Sequence, residues 1–332
     1  MNNLESHNIK KITVVIPTYW TWPASDSRRQ ESGSFDHPTP LDGESTLPRL
    51  LDDLCEQHFK DFSVLVLTGL SHPDLRQAAA IRMAELLEPY RSRLNLFTCD
   101  GPVWTRLQTA LEAAGMPTTG FNLGSYSGIR NLQLLIPHLW GAQIIVALDD
   151  DEGVELNYVD RVLLYFVKPV NARPVLGLAG PYLQPDGSVY LNVNDLTGNV
   201  FLDKGHYINK AFRTLIDDKE TLVPSPLTLG GNMVFHHDCF TRVPFDPGIT
   251  RGEDIDYLIN ARLQGIDWWF DAGLNILHLP PKHYDTPPYQ RMREDVFRFI
   301  YEREKLQLHG FTEPAWLEPY PGALLKQNLS QH

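Results

Sequence analysis

QIIVALDDDE, residues 143–152, joins six residues of a mostly apolar run to four consecutive acids. An apolar run this short and without alternation is the pattern of a strand buried on both faces in a parallel sheet. Asp149, Asp150, Asp151 and Glu152 then stand at the carboxyl edge of that sheet, where open α/β folds bind their ligands. Adjacent like charges repel, and they are tolerated when solvated or when a cation is bound. If the chain stays extended, Asp149 and Asp151 are two apart and point to one side. That pair suits Mg²⁺ or Mn²⁺ bridging a diphosphate, since hard cations take oxygen ligands and leave positions for phosphate and water. The plain alternative is a solvated acidic turn.

Working outward, Ile129, Leu132, Leu135, Ile136 and Leu139 mark a helix that begins near Ser127 and leads into this strand. Lys11 to Pro17 (KITVVIP) is a second buried strand closed by proline, which leaves Thr18 and Tyr19 at its carboxyl end. Leu47, Leu50, Leu51, Leu54 and Cys55 repeat at helical spacing behind Ser45-Thr46 with Pro48 in the first turn, and Phe62 to Leu67 (FSVLVL) supplies the next strand. A βαβ unit follows. Helix 75–90 and strand 94–98 come next, then a polar, Gly-bearing segment to Gly124. Beyond the acids the pattern predicts helix 156–167 and strand 175–179, followed by a less regular middle with turns at Pro185-Asp186-Gly187 and Thr197-Gly198-Asn199. LGGNMVF at 229–235, helix 253–264, strands 266–270 and 275–279, and an amphipathic helix over 289–306 complete the order. Trp20 to Glu44 is aperiodic and rich in Ser, Pro, Asp and Gly, an insertion expected to lie over the site. The tail beyond His309 reads as loosely held. The fold expected is α/β, a mixed, mostly parallel sheet flanked by helices.

Composition narrows the partners. With 29 Lys plus Arg against 41 Asp plus Glu the formal charge is -12, which opposes nucleic acid but allows a small phosphorylated substrate with a cation between the charges. The three cysteines, Cys55, Cys99 and Cys239, are far apart and lack CxxC spacing, which points to a reducing cytoplasm rather than a disulfide framework or zinc site. No apolar run approaches the roughly 18 residues of a transmembrane helix. The expectation is a soluble cytoplasmic protein, with homo-oligomerisation left open.

Other residues carry candidate chemistry. Glu253 and Asp254 open a predicted helix, where the dipole alone favours acids; the functional reading makes one of them a general base for an acceptor hydroxyl. Gly230-Gly231-Asn232 makes either a tight turn or a close approach to a ligand. His278 in NILHLP is either a core histidine or a metal ligand, and His283 is the alternative imidazole. Lys282, Arg251 and Arg130 are candidates to neutralise a diphosphate. Tyr19, Trp20 and Trp22 could stack on a base or sugar, whereas Trp268-Trp269 reads as core.

Taken in order, VVIPTYW, SGIRNLQL before ALDDDE, LGGNMVF, RGEDIDYLINARLQG and ILH resemble the GT-A glycosyltransferases of the large family-two type over residues 11–285. The resemblance implies a GT-A domain at 1–285, with a nucleotide-sugar-binding half at 11–152 and an acceptor-binding half at 153–285, then a C-terminal helix and tail at 286–332. It implies a hexosyltransferase-like enzyme that moves a sugar from a UDP- or GDP-sugar to an acceptor hydroxyl, with Mn²⁺ or Mg²⁺. Pro17, Thr18, Tyr19 and Arg130 would bind the donor, together with Asp149 and Asp150. Asp149 and Asp151 form the DxD-like pair, and His278 would join the metal. Gly231 and Asn232 would line the acceptor side, and Glu253 and Asp254 form the ED-type pair with Asp254 as base. Two departures stand out: the second strand ends Thr68-Gly69-Leu70 where family members carry acids that read the nucleotide, and the 20–44 insertion has no counterpart. A non-catalytic nucleotide-sugar binder remains the rival reading. A nucleotidyltransferase would need a Gly-rich basic loop after the first strand, and this loop is Trp- and Ser-rich instead.

Overall fold

A computed structural model describes residues 11–31, 35–167, 173–216, 222–281, 288–312 and 315–327. The first part of the chain runs β1 (Ile12–Thr21), β2 (Thr39–Pro40), α1 (Leu47–Glu56), β3 (Phe62–Leu70), α2 (Arg76–Leu87), β4 (Asn95–Cys99), α3 (Gly101–Ala113), α4 (Tyr126–Leu139) and β5 (Ile144–Ala147). The rest runs β6 (Glu152–Gly153), α5 (Tyr158–Val167), β7 (Gly177–Ala179), β8 (Tyr182–Leu183), α6 (Lys204–Ile216), β9 (Val223–Pro224), β10 (Met233–His236), α7 (His237–Phe240), α8 (Glu253–Leu263), β11 (Trp268–Phe270), β12 (Ile276–His278), α9 (Pro288–Leu308) and α10 (Gly322–Leu325).

The main sheet has the order β4-β3-β1-β5-β10-β7-β11-β9, with β2 added to β1. From β4 to β5 the neighbours are parallel; β10 runs antiparallel to β5 and β7, and β11 returns parallel to β7. The expected mixed, mostly parallel sheet flanked by helices is therefore the observed one. A small second sheet, β6-β12-β8, sits where the acidic turn leaves β5. Strand alternation distributes the core: Val14, Ile16, Val64, Val66 and Val146 pack with the apolar faces of α1 and α2, while Val15, Leu65, Leu67 and Ile145 pack with α4 and α8.

Three differences from the sequence reading have physical causes. β1 continues past Pro17 to Thr21, because the register with β5 ends at Val15↔Ala147 and a missing N–H beyond that point breaks no ladder bond on that side. β3 likewise continues through Thr68-Gly69-Leu70, where a Cβ on Gly69 would lie 2.9 Å from both the Thr18 carbonyl and the Tyr19 ring. α3 begins at the Gly101-Pro102 pair that reads as a break: Asp100 caps it by accepting from the Val103 N–H at 2.9 Å, and proline is pre-set for the first turn.

Among the described residues, the tail beyond His309 is anchored rather than loosely held: Leu317, Tyr320, Leu324 and Leu325 are buried in the same core cluster as Val15 and Ile129, together with Phe299 and Leu306 of α9. Trp268 and Trp269 are buried as expected, and Trp20 is fully enclosed. Among the described residues no helix is long and apolar enough to cross a membrane, and all three cysteines are free.

Candidate active site

The acids after β5 do not continue as an extended strand. Asp149 N–H donates to Glu152 Oε2 at 2.9 Å and Glu152 N–H returns to the Asp149 carbonyl at 3.3 Å, closing a tight turn. Even so, Asp149, Asp150 and Asp151 line one cavity of about 60 Å³ together with Tyr19, His37 and Tyr126. Burial holds the Glu152 carboxyl well above the usual carboxylate range, with the charges of Asp149 and Asp151 adding to it. Asp149 and Asp150 are raised for the same first reason. Asp151 goes the other way: burial would raise it, but His278 and His37 outweigh burial and hold it low.

His37 is the site residue that the sequence reading missed. The 20–44 insertion does not hang outside the fold; β2 pairs in parallel with the end of β1, Trp20↔Thr39 and Thr21↔Pro40. Just before β2, Phe35 packs between Tyr19 and Tyr126 with ring centroids 4.6 and 5.1 Å away, and Asp36 N–H donates to the Tyr126 hydroxyl at 2.9 Å. His37 is thereby set with Nε2 3.5 Å from Asp151 Oδ2, and His278 Nε2 lies 3.6 Å from the same oxygen. Burial disfavours charge on His37, yet Asp151 more than offsets it and raises the imidazole.

A buried carboxylate oxygen with two imidazoles just beyond good hydrogen-bond distance matches a divalent cation in donor chemistry. Among the described residues, no three or more His, Cys, Asp or Glu side chains close into a preformed metal cluster. The set is open rather than caged. Lys282 and His283 lie outside the described residues.

Arg130, placed by α4, is 3% exposed and bridges the two acidic groups of the site. Its Nη2 donates to Asp149 Oδ1 at 2.9 Å and its Nε to Glu253 Oε1 at 3.3 Å. Glu253 and Asp254 form the first turn of α8, behind Gly252 at φ +72°, a conformation that favours glycine. Burial, with Glu253 beside it, pushes the Asp254 carboxyl up to about 6. Asp149, Arg130, Glu253 and Asp254 all line a second cavity of about 260 Å³. Arg251, expected near a diphosphate, instead pairs with Asp36 and reaches toward Asp295 at this cavity's other wall.

Several expected ligand contacts are turned into the protein. Pro17 sits inside the sheet opposite Leu67. Thr18 is fully buried, with its hydroxyl donating to the Leu67 carbonyl at 3.2 Å and accepting from Trp20 Nε1 at 3.0 Å. Asn232 is also fully buried: its amide donates to the Leu274 carbonyl at 2.7 Å and its Oδ1 accepts from the Tyr158 hydroxyl at 2.7 Å. These side chains hold the walls in register, because a buried amide or hydroxyl already paired inside the fold is not free to reach a ligand. Gly231 donates its N–H to the Tyr182 hydroxyl at 2.6 Å, and a Cβ there would stand 1.9 Å from Glu152 Oε1. Gly231→Ala is accordingly expected to lose about 1–3 kcal/mol of stability in urea denaturation; an unchanged midpoint would mean that the glycine is not so confined.

No protein-family model matches the chain, and no curated protein does. Solved structures with similarity include the mannosyltransferase PcManGT from Pyrobaculum calidifontis, determined with GDP-Man and Mn²⁺: 12% identity, 90% of this chain and 64% of that one, TM-score 0.49. This chain thus spans less than two thirds of that protein's length. Another is S. aureus TarS 1-349 in complex with UDP, at 15% identity over 97% of this chain and 76% of that one, TM-score 0.44. A mycobacterial protein gives 15% identity, 91% and 76% coverage and a TM-score of 0.48.

Proposed function

We propose that the chain is a GT-A-type glycosyltransferase that moves a sugar from a nucleoside diphosphate donor to an acceptor hydroxyl with the help of a divalent cation. The observation that carries this reading is a single cavity, lined at one wall by Asp149 of the acidic turn and at another by Asp254, whose carboxyl stands at about 6. An acid raised that far is ionised at neutral pH, and is basic enough to take a proton from a reacting hydroxyl.

When bound, a divalent cation would neutralise charge on the departing diphosphate; Asp149, Asp151 and His278 would hold it, with His37 in reach of Asp151. Asp254 accepts the proton as the acceptor oxygen forms its bond to the anomeric carbon and the bond to the diphosphate breaks. Arg130 acts on orientation: by pairing with both Asp149 and Glu253 it fixes the separation of the acidic turn from the first turn of α8. Tyr19, which lines the small cavity, offers an aromatic side chain beside the acids for the nucleotide, and Phe35, 1% exposed, packs behind it as support rather than as a contact.

A screen of UDP- and GDP-sugars with and without Mn²⁺ tests the reading. The expected result is metal-dependent release of nucleoside diphosphate from one donor. Binding of a nucleotide sugar with no release under any condition would favour the non-catalytic binder instead.

A further inference from the structure

Helix α9 has two faces of opposite character. Asp295, Arg298, Phe299, Glu302 and Leu306 are buried against the rest of the fold. The far side of the helix carries Tyr289, Arg293, Phe297, Ile300, Glu304 and Leu308, at intervals of three or four that hold them in one stripe. Tyr289 is 71% exposed, Phe297 63% and Leu308 87%; Arg293 and Glu304 are also exposed, and Ile300 is half-buried. Met292 and Tyr301 extend the apolar surface on the flanks. The helix is 21 residues long, roughly 30 Å at the usual rise, so the stripe is a continuous surface rather than scattered single residues.

The stripe also reads the same in reverse. Turned end for end about the midpoint between Arg298 and Phe299, a second α9 sets Leu308 opposite Tyr289, Glu304 opposite Arg293 and Ile300 opposite Phe297. Apolar groups then meet apolar groups, and the cation of the stripe meets its anion. Parallel pairing would instead set Arg293 against Arg293 and Glu304 against Glu304. A lipid surface or an unrelated protein makes no use of this reversal symmetry, whereas a two-fold interface between identical chains requires it. Glu304 lies 3.0 Å from Arg303, but a pair between exposed neighbours is worth little and does not withhold the carboxylate.

We propose that this face of α9 is the isologous interface of a homodimer, in which two copies of the helix pack antiparallel and Arg293 of each meets Glu304 of the other. The proposal is independent of the glycosyl-transfer reading. Because Asp295 and Arg298 line the 260 Å³ cavity from the buried side of the same helix, the interface backs that wall.

Sedimentation velocity of the full chain over a dilution series tests it, in about 0.15 M salt so that repulsion between copies of formal charge -12 is screened. A species of twice 37.8 kDa that dissociates on dilution is expected. Phe297→Glu should weaken self-association by about tenfold or more and leave Tm unchanged, since the ring is already exposed in the single chain. Arg293→Glu and Glu304→Arg each set like charges opposite one another twice per dimer, and should weaken it by a similar factor. An equimolar mixture of these two variants brings opposite charges together at both places and should recover the dimer. A wild type still monomeric at about 0.1 mM would overturn the proposal. So would a dimer indifferent to Phe297→Glu, or a mixture of the two charge variants that stays dissociated. A face covered by another segment of the same chain would appear as a monomer whose Tm falls in Phe297→Glu, and that result too would overturn it.

Discussion

Replacing Asp254 by Asn is expected to slow sugar transfer by about 10²–10⁴-fold, the usual worth of a general base, while donor affinity holds. The carboxyl lies at the first turn of α8 with Glu253 beside it, and its Oδ1 accepts the Ile255 N–H at 2.8 Å, a bond an amide oxygen can also accept. Asparagine therefore keeps the shape and the cap but cannot take a proton. The pH profile gives a second signature. Because the base must be ionised, wild-type kcat/KM should fall as pH drops through about 6, and this limb should vanish in the variant. Near-normal turnover in Asp254→Asn would exclude it as the base.

Asp151→Ala should abolish metal-dependent donor binding, weakening it by about 100-fold or more, since even the outer-shell partners of a ligand are worth about 10–100-fold. The side chain is 3% exposed and meets two imidazoles through one oxygen. Its main chain carries the structural load instead: the Asp151 carbonyl accepts from Arg49 Nη2 at 2.8 Å and from Leu279 N–H at 2.9 Å. Alanine preserves both bonds, so the turn should survive the change. Titration of Mn²⁺ with a nucleotide sugar, followed by thermal shift, reads the effect directly; an unchanged midpoint shift would remove Asp151 from the metal's surroundings.

The central sheet was legible because its strands carry the pattern of two-sided burial, and QIIVAL and FSVLVL fall where β5 and β3 lie. α4 and α8 were legible from period alone. α3 was hidden by a Gly-Pro pair, and α6, KGHYINKAFRTLI, by a polar composition with few apolar anchors. Of the site, the acids at Asp149 to Asp151 and at Glu253-Asp254 stood out because acids in sequence clusters are visible without a structure. His37 did not: nothing local in FDHPTP distinguishes it, and only the β2–β1 pairing carries it to Asp151. One clue was available, namely that a loop long enough to cross the carboxyl edge of the sheet contains a histidine flanked by an acid and a proline. Asp295 and Arg298 were obscured because helix α9 reads as an amphipathic appendage, whereas its Asp295–Arg298 edge forms a cavity wall.

One guanidinium, that of Arg130, serves both banks of the cleft. Substitution there strands two carboxylates at once, so its effect cannot be divided between them by single changes, and double-mutant cycles with Asp149 and Glu253 should be strongly non-additive. It also means that any ligand drawing Asp149 away leaves more of that positive charge to Glu253: the opposite banks are wired through one residue, and neither can be retuned alone.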